Sequence, residues 1–163
     1  MDKRIERSNA DKVLRRFANK IKNQGFTRTK PTYFVRDAGL VIEFIHIHKY
    51  TFGPCFRMHV CIRILNEARD YIALLGPTEA ELCARIRFEY TQSEESVESC
   101  AETMAKFVVE CVEPWYLQWS DRASLLGENS PLYPDQKIDL EAALRGNISD
   151  KNTAISRSLL KIA

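Results

Sequence analysis

A chain of 163 residues, 45% hydrophobic and 28% charged, is long enough to bury one core without metal or disulfide support, and its composition is that of a globular domain rather than a disordered or membrane-embedded one. A net charge of +2 excludes bulk attraction to nucleic acid as an organising property and leaves only local patches. The five cysteines form no Cys-x-x-Cys pair, and the first thirty residues carry charge throughout, so the expectation is a reduced, cytoplasmic protein with neither signal sequence nor membrane span.

The first expected element is a helix, because Ala10, Val13, Leu14, Phe17, Ala18 and Ile21 recur at helical spacing. Ser8 or Asn9 is placed to cap its start, and Gly25 to take the left-handed position past its end. The opposite face carries Lys12, Arg15, Arg16, Lys20 and Lys22, read as a solvated face in preference to a nucleic-acid surface.

After Gly25 the period changes from helical to alternating. Thr32 to Arg36 reads as a strand and Asp37-Ala38-Gly39 as a hairpin turn, which pairs Arg36 with Leu40, Phe34 with Ile42 and Tyr33 with Glu43. A second strand runs from Leu40 to about Tyr50 and a third from Arg57 to Leu65, joined across Gly53-Pro54. Matching apolar faces pairs Ile47 with Val60 and Ile45 with Ile62, and so sets His48 opposite His59 and His46 opposite Cys61. Cys83 to Tyr90 alternates again and reads as a fourth strand. Between them, Thr78-x-x-Glu81 reads as the cap of a single helical turn.

A second long helix starts near Ser93, with Val97, Cys100, Ala101, Met104, Val108 and Cys111 on one face. Glu113-Pro114 ends or kinks it, and the aromatic segment from Pro114 to Leu126 follows. The stretch ENSPLYPDQ is a connector. Two weaker helical patterns close the chain, with apolar faces Ile138/Ala142 and Ile155/Leu159/Ile162. The expected fold is therefore α+β: a four-stranded antiparallel sheet, two long helices on one face, and additional C-terminal helices. Residues 1–127 form the single α+β domain, and 128–163 a helical extension that docks on it or on a partner chain, the latter giving a route to homo-oligomers.

The paired strands Val41 to Leu65 hold all three histidines. On the register above, the sheet face away from the long helices is apolar at one end (Phe34, Leu40, Ile42, Phe44) and basic at the other. The basic half carries His46, His48, Arg57, His59, Cys61 and Arg63, with Arg85 and Arg87 joining from the fourth strand. The aromatic segment around Trp115 and Trp119 is expected to cover the apolar half.

Three chemistries fit the basic half. Imidazole and thiolate are metal ligands, which makes His46, His48, His59 and Cys61 metal candidates, although the neighbouring arginines oppose a cation. Arginine forks and histidine N–H groups suit an anion, whether an acidic protein loop, a nucleotide or single-stranded nucleic acid, with Tyr50, Phe52 and Phe56 near the loop for stacking. Catalysis through Cys61 or a histidine lacks a recognisable triad or nucleophile elbow. A solvated polar face with structural hydrogen bonds is the plain alternative.

Gly25-Phe26 after a first helix, the strand TYFVR and the block VIEFIHIHKYTFGPCFRMHVCIRIL resemble the bacterial family catalogued as domain of unknown function 4304, over roughly Leu14 to Tyr90. The resemblance implies a bacterial cytosolic setting and no assigned chemistry or site residue. Immunity proteins and other partner-binding modules are similar in size and style. The expected function is a non-enzymatic binding module of the immunity or defence type, whose face of His46, His48, Arg57, His59, Arg63, Arg85 and Arg87 holds an acidic protein partner or anionic ligand. No cofactor and no membrane are implied. The alternative is a metal-dependent, nucleotide- or nucleic-acid-processing enzyme centred on the histidines.

Overall fold

The computed structural model describes residues 1–163. Helix α1 runs from Lys3 to Lys20 and begins earlier than expected, because Asp2 rather than Ser8 or Asn9 accepts the Arg4 N–H at its start. Its inward stripe of Ala10, Val13, Leu14 and Phe17 is buried as the spacing requires. Past a short 3₁₀ turn, Gly25 takes φ +86, the left-handed conformation that glycine adopts without strain.

Five strands follow: β1 (Thr27–Lys30), β2 (Tyr33–Asp37), β3 (Val41–Lys49), β4 (Cys55–Ile64) and β5 (Phe88–Glu89), adjacent in chain order and all antiparallel. The α+β antiparallel architecture agrees with the sequence, but the sheet has five strands rather than four. The extra one is β1, the polar run TRTK, which has no apolar alternation to betray it and survives as an edge strand paired to β2.

Both expected registers shift. In the first hairpin Ala38 bonds back to Val41, so the turn closes on Gly39-Leu40 and Phe34 pairs with Ile45, Val35 with Phe44 and Arg36 with Glu43. This is an odd shift, which exchanges faces: Phe34 moves to the helix side and Tyr33 and Val35 to the other. In the second hairpin the shift is by two and keeps the faces. Ile45 pairs with Val60, Ile47 with Met58, His46 with His59 and His48 with Arg57.

The outer side of β4 is closed piecewise. Phe56 pairs with Phe88, the Glu79 carboxylate accepts the Met58 N–H at 2.8 Å, and Val60 and Ile62 N–H groups bond Pro77 and Leu75 carbonyls. Glu79 begins helix α2 (Glu79–Leu82), the single turn expected after Thr78. With that side filled, residues 83–87 have no ladder to join, and the expected fourth strand shrinks to two residues.

Helices α3 (Glu94–Phe107) and α1 cover one sheet face. Ile45, Ile47, Met58, Val60, Ile62 and Ile64 interlock there with Phe17, Val97, Met104 and Phe107. The basic face of α1 is not simply solvated: Lys12, Arg16 and Lys20 meet Glu94, Glu98 and Glu102 of α3 in a ladder of ion pairs. Glu113-Pro114 does not end the long helix. A π-helical turn (108–112) absorbs the missing proline N–H, and α4 (Glu113–Gln118) continues on the same side.

That continuation overturns the expected cover for the second face. Tyr116 and Trp119 join the main core, with the Tyr116 hydroxyl 2.9 Å from the carbonyl oxygens of Phe44 and Cys61. The apolar half of the second face (Val35, Ile42, Phe44, Cys61, Leu65) is instead covered by Leu160 of α6 (Asp150–Leu160), with Ile72 and Ile162 at its margin. Helix α5 (Pro134–Leu144) buries Gln136, Leu140 and Ala143 and leaves Ile138 exposed. The inward residues of α6 are Ser156 and Leu160. Both terminal helices are thus rotated from the expected faces. In each, a buried polar group of the body, Glu67 or Arg63, draws Gln136 or Ser156 inward as its partner.

Candidate functional site

Side chains of β3 and β4 alternate between the two faces, so His46, His48, Arg57 and His59 share the second face with Cys61 and Arg63. Helix α6 divides that set. Cys61 lies in the covered half, where burial pushes its thiol far above the ordinary range. Arg63 is 2% exposed and engaged with Glu67, the Ser156 hydroxyl and the Tyr71 and Arg69 carbonyls. It is an internal strut and offers nothing to a partner. The half beyond α6 stays uncovered and presents His46, His48, Arg57 and His59.

Cross-strand pairing arranges rings on this half in two rows. Tyr33, His46 and His59 stand opposite one another on β2, β3 and β4, with centroids 4.7 Å apart for the first pair and 5.8 Å for the second. In the next row His48 faces Arg57, Tyr50 and His48 meet at a right angle, and Phe52 lies tilted against Tyr50 at 4.8 Å. Phe52 is 82% exposed at the tip of the hairpin.

Two cations border the rings. The Lys30 ammonium rests 4.3 Å over Tyr33 and 3.3 Å from the Leu159 carbonyl, and Arg57 lies over Tyr50 at 5.7 Å. Arg57 has only a distant carboxylate, Glu79 at 3.7 Å, and its Nε has no hydrogen-bond partner. The Nδ1 atoms of His46 and His59 have none either.

His46 and His59 are not themselves the source of positive charge at neutral pH. Burial, reinforced by His59, His48 and Lys30, brings His46 down to about 4, and burial with Arg57 and His48 lowers His59. Each is a flat neutral ring with one donor and one acceptor nitrogen. The positive charge comes from Arg57 and Lys30.

Arg85 and Arg87 fall outside this face because the strand that would have carried them does not form. Both are exposed, and Arg87 lies 3.4 Å from Glu89. Arg87 does share with Arg57 a cleft of about 360 Å³ between the hairpin tip and α2, walled by Tyr50, Phe52, Glu79 and Ile86. No three of the His, Cys, Asp and Glu side chains converge as a metal-binding group; His46 and His59 meet, while Cys61 is shut beneath α6.

Sequence reasoning missed Lys30 and misplaced Tyr33. Lys30 lies on β1, whose polar run gives no strand signal, and Tyr33 follows the first hairpin's register, which turns on whether the loop is Asp37-Ala38-Gly39 or closes on Gly39-Leu40. No family model, curated protein or solved structure matches this chain. No helix is long and apolar enough to cross a membrane.

Proposed function

We propose that the protein is a cytoplasmic binding module that holds an anionic partner on the uncovered half of its second sheet face. The observation that supports this reading is the placement of Arg57 and Lys30 on either border of the imidazole row, on β4 and β1. Neither cation has a carboxylate within close ion-pair distance, whereas Lys12, Arg16 and Lys20 of α1 and the Arg36 and Arg63 guanidinia do. An arginine fork and an ammonium on a rigid sheet suit an acidic or phosphorylated group. Nothing in the site resembles an activated nucleophile or an oriented base, which favours binding over catalysis. The immunity- or defence-type assignment and the resemblance of Leu14 to Tyr90 to the domain of unknown function 4304 family belong to the same proposal.

Titration of the labelled protein with tripolyphosphate, a minimal polyanion, tests it by NMR. The imidazole signals of His46, His48 and His59 and the Arg57 side-chain signal should move together, and Arg57→Ala should weaken the titration. Shifts confined to α1 or to the C-terminal helices would refute the assignment.

A further inference from the structure

We infer that the anion held on this face is a single-stranded nucleic acid, whose bases stack on its rings, exposed at His48 and Phe52 and part-buried at the others, while its phosphates meet Arg57 and Lys30. The inference rests on the anion-binding reading above and adds the ligand's class.

A carboxylate or phosphate alone has no use for rings, yet this half of the face is built mainly of them. Tyr33, His46 and His59 form one row across three strands, and His48, Tyr50 and Phe52 continue a second row out to the hairpin tip. A phenyl ring left 82% in water at that tip, tilted against Tyr50, carries an unfavourable hydration that a planar ligand would relieve. Every nucleobase has a π-face, so such a platform takes bases with little regard to sequence.

The state of the histidines points the same way. A site for a simple anion gains from imidazolium, but His46 is held neutral by burial and by its cationic neighbours. A neutral imidazole still stacks, and with Nδ1 of His46 and His59 buried it is the Nε2 edge that each ring offers to a base. The cations occupy the border. Lys30 rests over Tyr33, and its flexible stem lets it swing to a phosphate and bare that ring. Arg57 stands over Tyr50 with its nearest carboxylate, Glu79, 3.7 Å from its buried Nε, which leaves the outer end of the guanidinium for a phosphate.

A duplex fits less well, since its bases are already stacked and a broad sheet face cannot enter a groove. The low net charge does not weigh against this. Much of the basic charge elsewhere is neutralised in ion pairs, notably between α1 and α3, which leaves this patch locally positive.

Fluorescence anisotropy with 5′-labelled twelve-residue oligo(dT) and oligo(U), set against the same length of duplex and a labelled twelve-residue poly-aspartate, tests the inference on the full chain. Single strands should bind tightest. Phe52→Ala, at an exposed tip where folding is indifferent, should weaken them about tenfold or more, the loss expected for one stacked base. Arg57→Ala should lower the salt slope of log K by about 0.7, one phosphate contact on a single strand. Lys106→Ala, which removes the same charge from α3 on the opposite face, should change nothing. Equal binding of duplex, tighter binding of poly-aspartate, or an unaltered affinity in Phe52→Ala would each overturn the nucleic-acid inference. The tripolyphosphate titration separately decides whether the face binds anions at all.

Discussion

Arg63 Nη1 lies 2.9 Å from Glu67 Oε1 with the two side chains 2% and 3% exposed, so the loop after β4 and the last helix hang on one buried ion pair. Burial pulls the guanidinium down and the carboxyl up. Their mutual attraction, with N–H groups of Gln136 and Ile64 on the carboxylate, opposes both. Removing one partner leaves the other charged and dry. Arg63→Ala is expected to lower stability by about 3–5 kcal/mol, whereas the double replacement Arg63→Met with Glu67→Leu should recover much of that loss. Urea unfolding of the three proteins checks it, and equal stability of the single and double variants would show the pair to be unimportant.

The same pair explains much of what was and was not legible in the sequence. Strand alternation and helical spacing located the long helices, β2, β3 and β4, and the division of the second face into an apolar and a basic half. They could not locate the cover of the apolar half. The aromatic segment around Trp115 and Trp119 read as that cover, but a π-helical turn before Pro114 keeps Tyr116 and Trp119 on the first face. The true cover, α6, turns Ser156 inward because Arg63 beneath it needs an oxygen, so its apolar period misreports its buried side. A buried charge is invisible to hydrophobic patterning, since arginine on a strand reads as solvent-facing. Likewise, His46 and His59 are two residues from the expected pairing because the Ile-rich strands permit either register when faces alone are matched.

Gly76 has φ +146, and a Cβ built there would lie 1.8 Å from the Val60 carbonyl oxygen. Only glycine lets the 75–77 segment approach closely enough for Leu75 and Pro77 to bond β4. Gly76→Ala is expected to destabilise by more than about 2 kcal/mol and to expose the Val60 and Ile62 amides to hydrogen exchange. Gly39, with φ +83 but open space around it, is the control. Its alanine variant should lose only about 1–2 kcal/mol, the left-handed backbone penalty alone. Equal losses in the two would remove the steric argument.

Because His46 is neutral in the fold down to about 4, while the unfolded chain binds its proton near the ordinary value of 6.5, the unfolded state takes up the extra proton between those limits. Its contribution to stability is therefore complete above about pH 6.5 and is lost as the pH falls toward 4. The half-exposed ring is screened, so the loss expected is on the order of 1–2 kcal/mol rather than the full value of the shift. Carboxylates titrate in the same window, so the measurement is a difference. His46→Phe keeps a ring beside Tyr33 and should flatten the pH 4 to 7 stability curve by that amount relative to the parent. Parallel curves would show that the site does not hold His46 neutral.

The five thiols report on both faces of the sheet. Cys83 is exposed, Cys55 and Cys111 are half-buried, and Cys61 and Cys100 are buried on opposite faces, beneath α6 and within the α1/α3 layer respectively. Thiolate is the reacting form, and burial raises Cys100 to about 12 and Cys61 further still. At pH 8 a disulfide reagent should modify Cys83 first, Cys55 and Cys111 more slowly, and the last two only through opening of the fold. Those openings differ. Cys61 needs α6 to lift, a local event, whereas Cys100 needs the main core to part. Arg63→Ala, which removes the strut holding Ser156, should therefore speed modification of Cys61 well beyond that of Cys100. Mass-spectrometric mapping of the modified peptides over time separates the two, and equal acceleration at both would mean that α6 and the main core open as one unit.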